Sequence, residues 1–200
     1  MILYRLEEKE MNRLFVIGML TLSLAAIAPE TVLSRELKGV NVPETVVIKD
    51  TTCSLVGAGI RKKLVINVYI GALYTSRPVN SAPEAIASDQ VKRIVLHFLY
   101  KEVKADQLVE AWNEGFEKNS GGSAAGLKDR IARFNSFFRD SVRTGDTIEL
   151  TYIPGTGTEV TIKGSQKGMI EGKDFMEALF SIWFGPFPPS TGLKEGMLGQ

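Results

Sequence analysis

The sequence has one cysteine, one histidine and almost no net charge, and each of these shortages excludes a class of function. Among its 200 residues, only Cys53 offers a thiol and only His97 an imidazole. One cysteine cannot form an intramolecular disulfide, and a structural zinc site needs four such ligands. A triad or a Cys–His pair would have to use His97 alone. With 24 basic and 23 acidic residues, the formal net charge of +1 argues against a nucleic-acid-binding protein.

The chain also lacks internal repeats, and its longest apolar run lies near the N-terminus. Residues 14–28 are uncharged and mostly apolar, follow the basic Arg13, and end in a small-x-small cleavage pattern. Because this run is shorter than the roughly 20 residues of a spanning helix, we interpret residues 1–34 as a signal peptide and not as a stable membrane span. The acidic residues before Met11 are unusual in such a signal and leave Met11 as an alternative start.

The remaining residues, 35–200, are then a single domain located in the periplasm or outside the cell. This length is enough for one hydrophobic core and too short for two full domains. Cys53 has no intramolecular partner in such an oxidising compartment. We expect a monomer without a metal or a cofactor.

Alternation and spacing of apolar residues predict an α+β protein with an antiparallel sheet. A segment rich in Val, Ile and Tyr, from residue 55 to 75, predicts two strands with a tight turn near Lys62 and Lys63. Further strands are predicted at 45–49, 92–99, 147–152 and 159–163. Spacings of three and four residues predict helices around 108–116, 127–138 and 175–182.

Arg61 and Tyr69 are the most informative polar residues of this predicted hairpin. Arg61 ends an apolar, glycine-containing strand, and Tyr69 lies on the next one. In a straight chain they would be about 26 Å apart, at roughly 3.3 Å per residue. If a turn intervenes, both side chains can point into one cavity, where a guanidinium and a phenol suit a carboxylate or a carbonyl oxygen. The alternative is a surface arginine near a tyrosine at the edge of the core.

His97, Cys53 and a pair of glycines are interpreted as structural residues and not as parts of a site. His97 lies in an alternating strand without a serine or cysteine partner motif, and Cys53 has no CxxC partner. Gly57 and Gly59 lack the third glycine of a dinucleotide-binding loop and stand between strands, not before a helix. We therefore expect this glycine pair to form a bulge or to allow a close backbone approach.

Four sequence blocks in the same order resemble the chalcone isomerase-like family, and the last of them resembles its secreted bacterial branch. The first block, residues 57–74, reads GAGIRKK followed by NVYIGALY and is similar to the GxGxR…VYxxxLY pattern. The others lie at 152–158, 173–185 and 193–199. The resemblance covers the chain from about residue 40 to its end. It implies an open-faced β-sandwich, in which helices pack on one face of a large antiparallel sheet.

The family includes plant chalcone isomerases, fatty-acid-binding proteins and non-catalytic relatives, and the resemblance implies roles for several residues. Arg61 matches the arginine that activates the ketone in the enzymes and holds the carboxylate in the fatty-acid binders. Tyr69 lies where the fatty-acid binders have a tyrosine. Tyr100 matches a tyrosine of the enzymes, so an enzymatic site would use Arg61, Tyr69 and Tyr100. Ser165 falls near a late threonine of the enzymes and is a further candidate for ligand binding.

Departures from the family pattern favour a protein that binds without catalysing. Val103 and Gln107 stand where the enzymes have a lysine and an asparagine, so the full cyclising set is absent. We expect a non-catalytic binder of a fatty acid or a similar amphipathic carboxylate, with Arg61 at the head group. Apolar side chains would contact the tail, namely Val65, Leu73, Trp112 and Phe116. The alternatives are an isomerase (an intramolecular lyase) acting on an enone such as a chalcone, and a structural or interaction protein of the cell envelope.

Overall fold

The computed structural model describes residues 33–120 and 126–200. Its strands are β1 (Ser34–Leu37), β2 (Val40–Pro43), β3 (Thr45–Ile48), β4 (Thr51–Lys63), β5 (Ile66–Thr75), β6 (Lys92–Phe98), β7 (Glu102–Val103), β8 (Val142–Arg143), β9 (Thr147–Ile153), β10 (Gly157–Ile162) and β11 (Ser165–Ile170). Its helices are α1 (Ala82–Ala87), α2 (Ala105–Asn119), α3 (Lys128–Asn135), α4 (Lys173–Phe184) and α5 (Thr191–Met197). Apart from Leu33 and Ser34, the predicted signal peptide lies outside the described residues. Within the described ranges, no helix has both the length and the apolarity to cross a bilayer.

The centre of the protein is a curled, seven-stranded antiparallel sheet in the order β11-β10-β9-β6-β5-β4-β3. Strands that are neighbours in this sheet also follow one another in the chain, except β6 and β9. Between those two the chain inserts α2, α3 and the short β7–β8 pair. The apolar sides of the helices pack against one face of the sheet. This arrangement confirms the predicted α+β fold with helices on one face of a large antiparallel sheet.

The larger of two hydrophobic clusters fills the space between the sheet and the helices. Its centre is a group of aromatic rings in tilted and edge-to-face contact, with centroids 5.0 to 6.1 Å apart. These rings belong to Trp112, Phe116, Phe134, Phe138, Phe175 and Trp183. Each such pair adds about 0.5–1.5 kcal/mol to the effect of burial alone. The interior between α2 and α4 is therefore closely packed with rings.

A smaller hydrophobic cluster lies on the opposite face, where the β1–β2 hairpin covers part of the sheet. Val42 of this hairpin and Cys53 of β4 are fully buried there. The Tyr74 hydroxyl donates a hydrogen bond to the Pro43 carbonyl at 3.0 Å, which fastens the hairpin to β5. Strands β1 and β2 are not predicted from the sequence, because they are short and contain few consecutive apolar or β-branched residues.

The long hairpin of β4 and β5 turns at Leu64 and Val65. The predicted turn near Lys62 and Lys63 is wrong by two residues, since both lysines continue β4. Leucine and valine are not typical turn residues, so composition favours the charged pair instead. Leu64 adopts a φ of +56°, a left-handed conformation that is uncommon for a bulky side chain.

Gly57 and Gly59 allow the backbone of α5 to lie directly against β4. A Cβ atom at Gly57 would lie 2.3 Å from the Gly196 carbonyl oxygen, and one at Gly59 would lie 2.5 Å from the Leu193 carbonyl oxygen. The β4–β5 register also shifts at Val56, immediately before this glycine pair. The expectation of a bulge or a close backbone approach is confirmed, since both occur.

Lys92 of β6 is fully buried, with its ammonium group bound by carbonyl oxygens. Its Nζ donates to the carbonyls of Ala85 and Ile86 at the end of α1, each at 2.8 Å. It also lies 4.8 Å from the ring centroid of Phe180, a distance suited to a cation–π contact. Burial lowers the pKa of Lys92 to about 7. Lys92 therefore fastens α1 to the sheet through a group that loses its charge near neutral pH.

Replacing Gly59 with alanine should destabilise the protein by about 3 kcal/mol, because the new Cβ meets backbone atoms that cannot move aside alone. Gly192→Ala is the matched control, since a Cβ at Gly192, on the same helix α5, meets no atom within 4 Å. That control should leave stability unchanged or raise it slightly, because alanine favours helix. Urea denaturation measures both free energies of unfolding, and equal values would contradict the close approach.

Replacing Lys92 with methionine should change how stability depends on pH. In the folded state the pKa of Lys92 is about 7, below its ordinary value of 10.5, so between these values the unfolded chain holds more protons. Stability of the wild type therefore rises with pH above about 7, by about 2 kcal/mol relative to Lys92→Met between pH 7.5 and 9.5. Denaturation at several pH values tests this, with the exposed Lys167→Met as the control. A pH-independent difference between wild type and Lys92→Met would contradict it.

Candidate functional site

Arg61 and Tyr69 are direct cross-strand partners in the β4–β5 hairpin. Side chains of directly opposed residues lie on the same face of a sheet, and here that is the face covered by the helices. The Arg61 Cζ atom lies 5.6 Å from the centroid of the Tyr69 ring. The register shifts after Arg61, so that Val68 is an extra residue and, like Tyr69, joins the helix-facing cluster. The hairpin thus brings both predicted residues together, as a turn between them requires.

The Tyr69 hydroxyl is held in place by α4. Tyr69 is 2% exposed, and the Trp183 indole N–H donates to its hydroxyl oxygen at 3.0 Å. Burial raises the pKa of Tyr69 above its usual range. The charge of Arg61 and the hydrogen bonds from Trp183 and Arg61 lower this pKa, but their combined effect is smaller. At neutral pH the side chain is therefore a neutral phenol that can donate a hydrogen bond but cannot act as a base.

Two clefts meet at Arg61, one on each side of its side chain. The smaller, of about 180 Å³, is lined by Arg61, Tyr69, Ala111, Trp112, Glu114, Gly115, Lys118, Ile182, Phe187, Pro188 and Pro189. The larger, of about 390 Å³, is lined by Arg61, Lys63, Ile66, Val68, Tyr100, Glu102, Val103, Gln107, Glu110, Ala111 and Glu114. Helix α2 forms a wall of both clefts, and the β4–β5 hairpin supplies the cation.

Among the described residues, Arg61 forms no ion pair within 4 Å, since the ion pairs found there involve other side chains. Glu114 lines both clefts but pairs with Lys118, one turn further along α2. The hydrogen bond from Lys118 lowers the pKa of Glu114, and the charge of Arg61 adds to this effect. Arg61 is half-buried, so its guanidinium is available to an anion that enters either cleft.

Tyr100 lines the larger cleft with Arg61, whereas Tyr69 lines the smaller one. The structure therefore brings each tyrosine to Arg61, but to different sides of it. Val103 and Gln107, which the resemblance aligns with a lysine and an asparagine of the enzymes, line the same cleft as Tyr100. The Gln107 side-chain oxygen accepts a hydrogen bond from the backbone N–H that precedes α2, so part of its amide serves as a helix cap.

Ser165 does not join this site. It is the exposed first residue of β11, the edge strand four places from β5 in the sheet. At about 4.8 Å per strand, it lies on the order of 19 Å from β5 along the sheet. Ser165 thus lies apart from the two clefts at Arg61 and lines neither of them, and its ligand-binding role remains a prediction from the resemblance.

The structure also locates the four apolar residues expected at a ligand tail. Val65 is 94% exposed at the β4–β5 turn and lines neither cleft. Leu73 and Phe116 are buried in the larger hydrophobic cluster. Of the four, only Trp112 lines a cleft, the smaller one. The hairpin alone does not reveal which apolar residues line a cleft, because α2 determines the remaining walls.

His97 and Cys53 lie on the other face of the sheet from Arg61. His97 pairs with Ile70, whose side chain belongs to the smaller hydrophobic cluster, and burial lowers the pKa of His97. Cys53 is fully buried in that cluster, and burial raises the pKa of its thiol. Neither side chain can reach a ligand at Arg61, because strand alternation separates them from it by the thickness of the sheet.

Two parts of the site lie outside the residues predicted from the sequence. The first is the acidic wall of the larger cleft, formed by Glu102, Glu110 and Glu114. Glu110 and Glu114 are four residues apart on one predicted helix, so their shared face could be recognised from spacing. The second is the segment 187–189, which closes the smaller cleft. Two hydrogen bonds between the Asn119 side chain and the Phe187 backbone hold that segment, and no sequence pattern indicates such a long-range contact.

Comparisons with known proteins agree with this architecture. The sequence matches the family model described as chalcone isomerase-like over residues 34–199. The crystal structure of an Arabidopsis thaliana fatty-acid binding protein is similar, with a TM-score of 0.65 and 20% sequence identity. The match covers 83% of this chain and 95% of the plant chain, and at this identity it shows the fold alone. No curated protein matches the sequence.

Replacing Tyr69 with phenylalanine should lower the free energy of unfolding by about 1–3 kcal/mol, because the buried Trp183 N–H loses its acceptor. Tyr100→Phe is the control, since Tyr100 is half-buried at a cleft, and its loss should be small. In a Trp183→Phe background the Tyr69→Phe change should cost less, since no donor is then left unpaired. Urea denaturation of wild type, the two single variants and the double variant measures this coupling. Additive losses would show that the hydrogen bond does not cause the destabilisation.

Proposed function

The chain belongs to the chalcone isomerase-like family, and from that premise we propose that it is a non-catalytic binder of an amphipathic carboxylate such as a fatty acid. The observation that carries the proposal is Arg61, a half-buried cation at the meeting point of two clefts, without a carboxylate partner among the described residues. A guanidinium binds a carboxylate through two parallel N–H donors. Tyr69 adds a neutral hydroxyl beside it.

The ligand's head group would lie at Arg61 and its tail along the larger cleft. That cleft's volume of about 390 Å³ is within the usual range for small-ligand pockets, roughly 300–1,000 Å³. Its apolar wall is formed by Ile66, Val68, Val103 and Ala111. The aromatic rings between α2 and α4 fill the interior, so the tail would follow the cleft and not penetrate the core.

The chemistry of the site also favours binding over catalysis. The buried phenol of Tyr69 stays neutral, and His97 lies on the other face of the sheet, so neither can serve as a base at Arg61. Val103 and Gln107 stand in the larger cleft where the enzymes have a lysine and an asparagine. The name of the structurally similar plant protein, a fatty-acid binding protein, supports the ligand class.

A second candidate, an isomerase acting on an enone, is favoured by one observation. Arg61 and Tyr100 line the same cleft, so a cation and a hydroxyl could polarise a ketone oxygen together. Such a reaction would need a substrate phenol that ionises without a protein base. The first proposal is preferred because it requires only the groups that are present.

We place this function in the periplasm or outside the cell, on the basis of the signal-like residues 14–28. Detection of the full-length protein in cell fractions tests this placement. Retention of the protein in the cytoplasm, at its full length, would contradict it.

Replacing Arg61 with alanine should weaken binding of long-chain fatty acids by about tenfold or more, because a charge-assisted hydrogen-bond pair is lost. Isothermal titration with acids of increasing chain length measures the affinity, and the exposed Arg133→Ala is the control. Equal affinity of wild type and Arg61→Ala for these fatty acids would contradict the proposal. Loss of chalcone absorbance is followed in parallel, and a rate above buffer that Arg61→Ala abolishes would favour the isomerase instead.

A further inference from the structure

The tip of the β4–β5 hairpin, residues 62–66, exposes apolar side chains next to basic ones. Leu64 is 93% exposed, Val65 94% and Ile66 42%, and they directly follow the exposed Lys62 and Lys63. Within the described residues, six large hydrophobic side chains are exposed, and three of them are consecutive at this tip. A fourth, that of Phe187, lines the smaller cleft beside Arg61. Exposed apolar residues are thus concentrated around the clefts.

The turn at the tip places an exposed apolar residue in a strained backbone conformation. Leu64 occupies the left-handed region, with a φ of +56°, as do three lysines at other turns, and it is the one apolar residue among these four non-glycine positions of the described chain. Glycine or asparagine adopts this conformation at lower cost and is the usual choice in a two-residue turn. A bulky apolar residue that is both strained and almost fully exposed gains nothing from burial in the folded chain. Strain of this kind is commonly found at functional positions.

The tip also projects beyond the rest of the sheet. Pairing of β5 with β6 begins at Tyr69, whereas pairing of β5 with β4 continues to Ile66 and Lys63. Directly after β6, the N–H groups of Leu99 and Tyr100 still donate to the Val68 carbonyl, so the hairpin extends about 7 Å past this last backbone contact, at roughly 3.3 Å per residue. This length matches the depth of about 5–10 Å to which interfacial segments enter a bilayer.

We propose that the hairpin tip docks the protein on an anionic lipid surface. Leu64 and Val65 enter the boundary between head groups and acyl chains, and Lys62 and Lys63 contact the anionic head groups. The charge of the tip favours an anionic lipid surface as the partner, because two basic residues directly precede the apolar ones. The glutamates of β7 and α2 line the larger cleft together with Lys63, whose charge also acts on Glu114, whereas Lys62 does not line that cleft.

Docking in this way would bring one edge of the larger cleft, formed by Lys63 and Ile66, to the lipid surface. Lys63 and Ile66 belong both to the tip and to the lining of that cleft, which also contains Arg61. An amphipathic acid could then move between the bilayer and Arg61 without crossing bulk water. This part of the inference rests on the proposed function, whereas docking itself does not require a bound acid.

Sedimentation with lipid vesicles tests the docking directly. Wild-type protein, without added fatty acid, should bind vesicles of phosphatidylcholine with one third phosphatidylglycerol and should bind phosphatidylcholine alone much more weakly. Lys62→Gln with Lys63→Gln should weaken binding about twentyfold, and Leu64→Ser with Val65→Ser at least tenfold. Val47→Ser and Lys49→Gln, both exposed near the far end of β4, are the matched controls and should bind as wild type.

A fluorescent reporter at the tip provides a second readout. The two native tryptophans, Trp112 and Trp183, are buried, so a Val65→Trp variant adds one exposed indole to a constant background. Its emission should shift to the blue when anionic vesicles are added, and that of Val47→Trp should not shift. Absence of vesicle binding by wild type, or binding that the tip variants retain, would overturn the proposal. So would a dimer in solution that Leu64→Ser with Val65→Ser dissociates.

Failure of docking and failure of acid binding are separated by Arg61→Ala and the tip variants. Arg61→Ala should retain vesicle binding within a few fold while losing affinity for fatty acid. Leu64→Ser with Val65→Ser should retain affinity for fatty acid, because neither residue lines a cleft. Vesicle binding without acid binding would reject the proposed function alone, and the reverse result would reject docking alone.

Discussion

The register between β4 and β5 determines which side chains can meet a ligand in this protein. It pairs Arg61 with Tyr69 and directs both to the helix-covered face. Since side chains alternate along a strand, a slip of one residue would send Arg61 to the opposite face, towards the smaller cluster around Cys53. Bulges on both strands of the pair, at Val56 and Val68, adjust the alternation so that the glycine pair and Tyr69 face the helices together. The site therefore depends on strand pairing more than on any single contact within it.

The positions of the helices determine which part of this face remains accessible to a ligand. Helix α5 lies so close to Gly57 and Gly59 that no side chain separates it from β4. Helix α4 supplies Trp183, which holds the Tyr69 hydroxyl and packs against Trp112 of α2. These contacts cover the sheet beside the glycine pair and around Trp183, and space remains between the outer end of the hairpin and α2. The two clefts at Arg61 are what this packing leaves unfilled.

Much of the fold could be predicted from the sequence, because periodicity is clear where elements are long. Strand β6 and helices α2 and α4 lie within a few residues of their predicted positions. The β4–β5 turn was misplaced, since Leu64 and Val65 lack turn chemistry, and the function proposed for the exposed tip would account for that departure. The separation of Ser165 from Arg61 could not be predicted, because position along the chain does not give the order of strands. The walls of the clefts required tertiary contacts, such as that between Asn119 and Phe187.

The charges around Arg61 also restrict the kind of anion that the site can accept. One guanidinium faces a cleft whose other wall carries Glu102, Glu110 and Glu114. Glu102 is paired with Arg143 and Glu114 with Lys118, so part of this negative charge is compensated, but the wall remains rich in acceptors. A ligand with a second anionic group would place it against these carboxylates, in surroundings where like charges repel strongly. The proposed ligand, with a single carboxylate at Arg61 and an uncharged chain along Ile66 and Val68, would avoid this repulsion. A dianion or a phosphate would not.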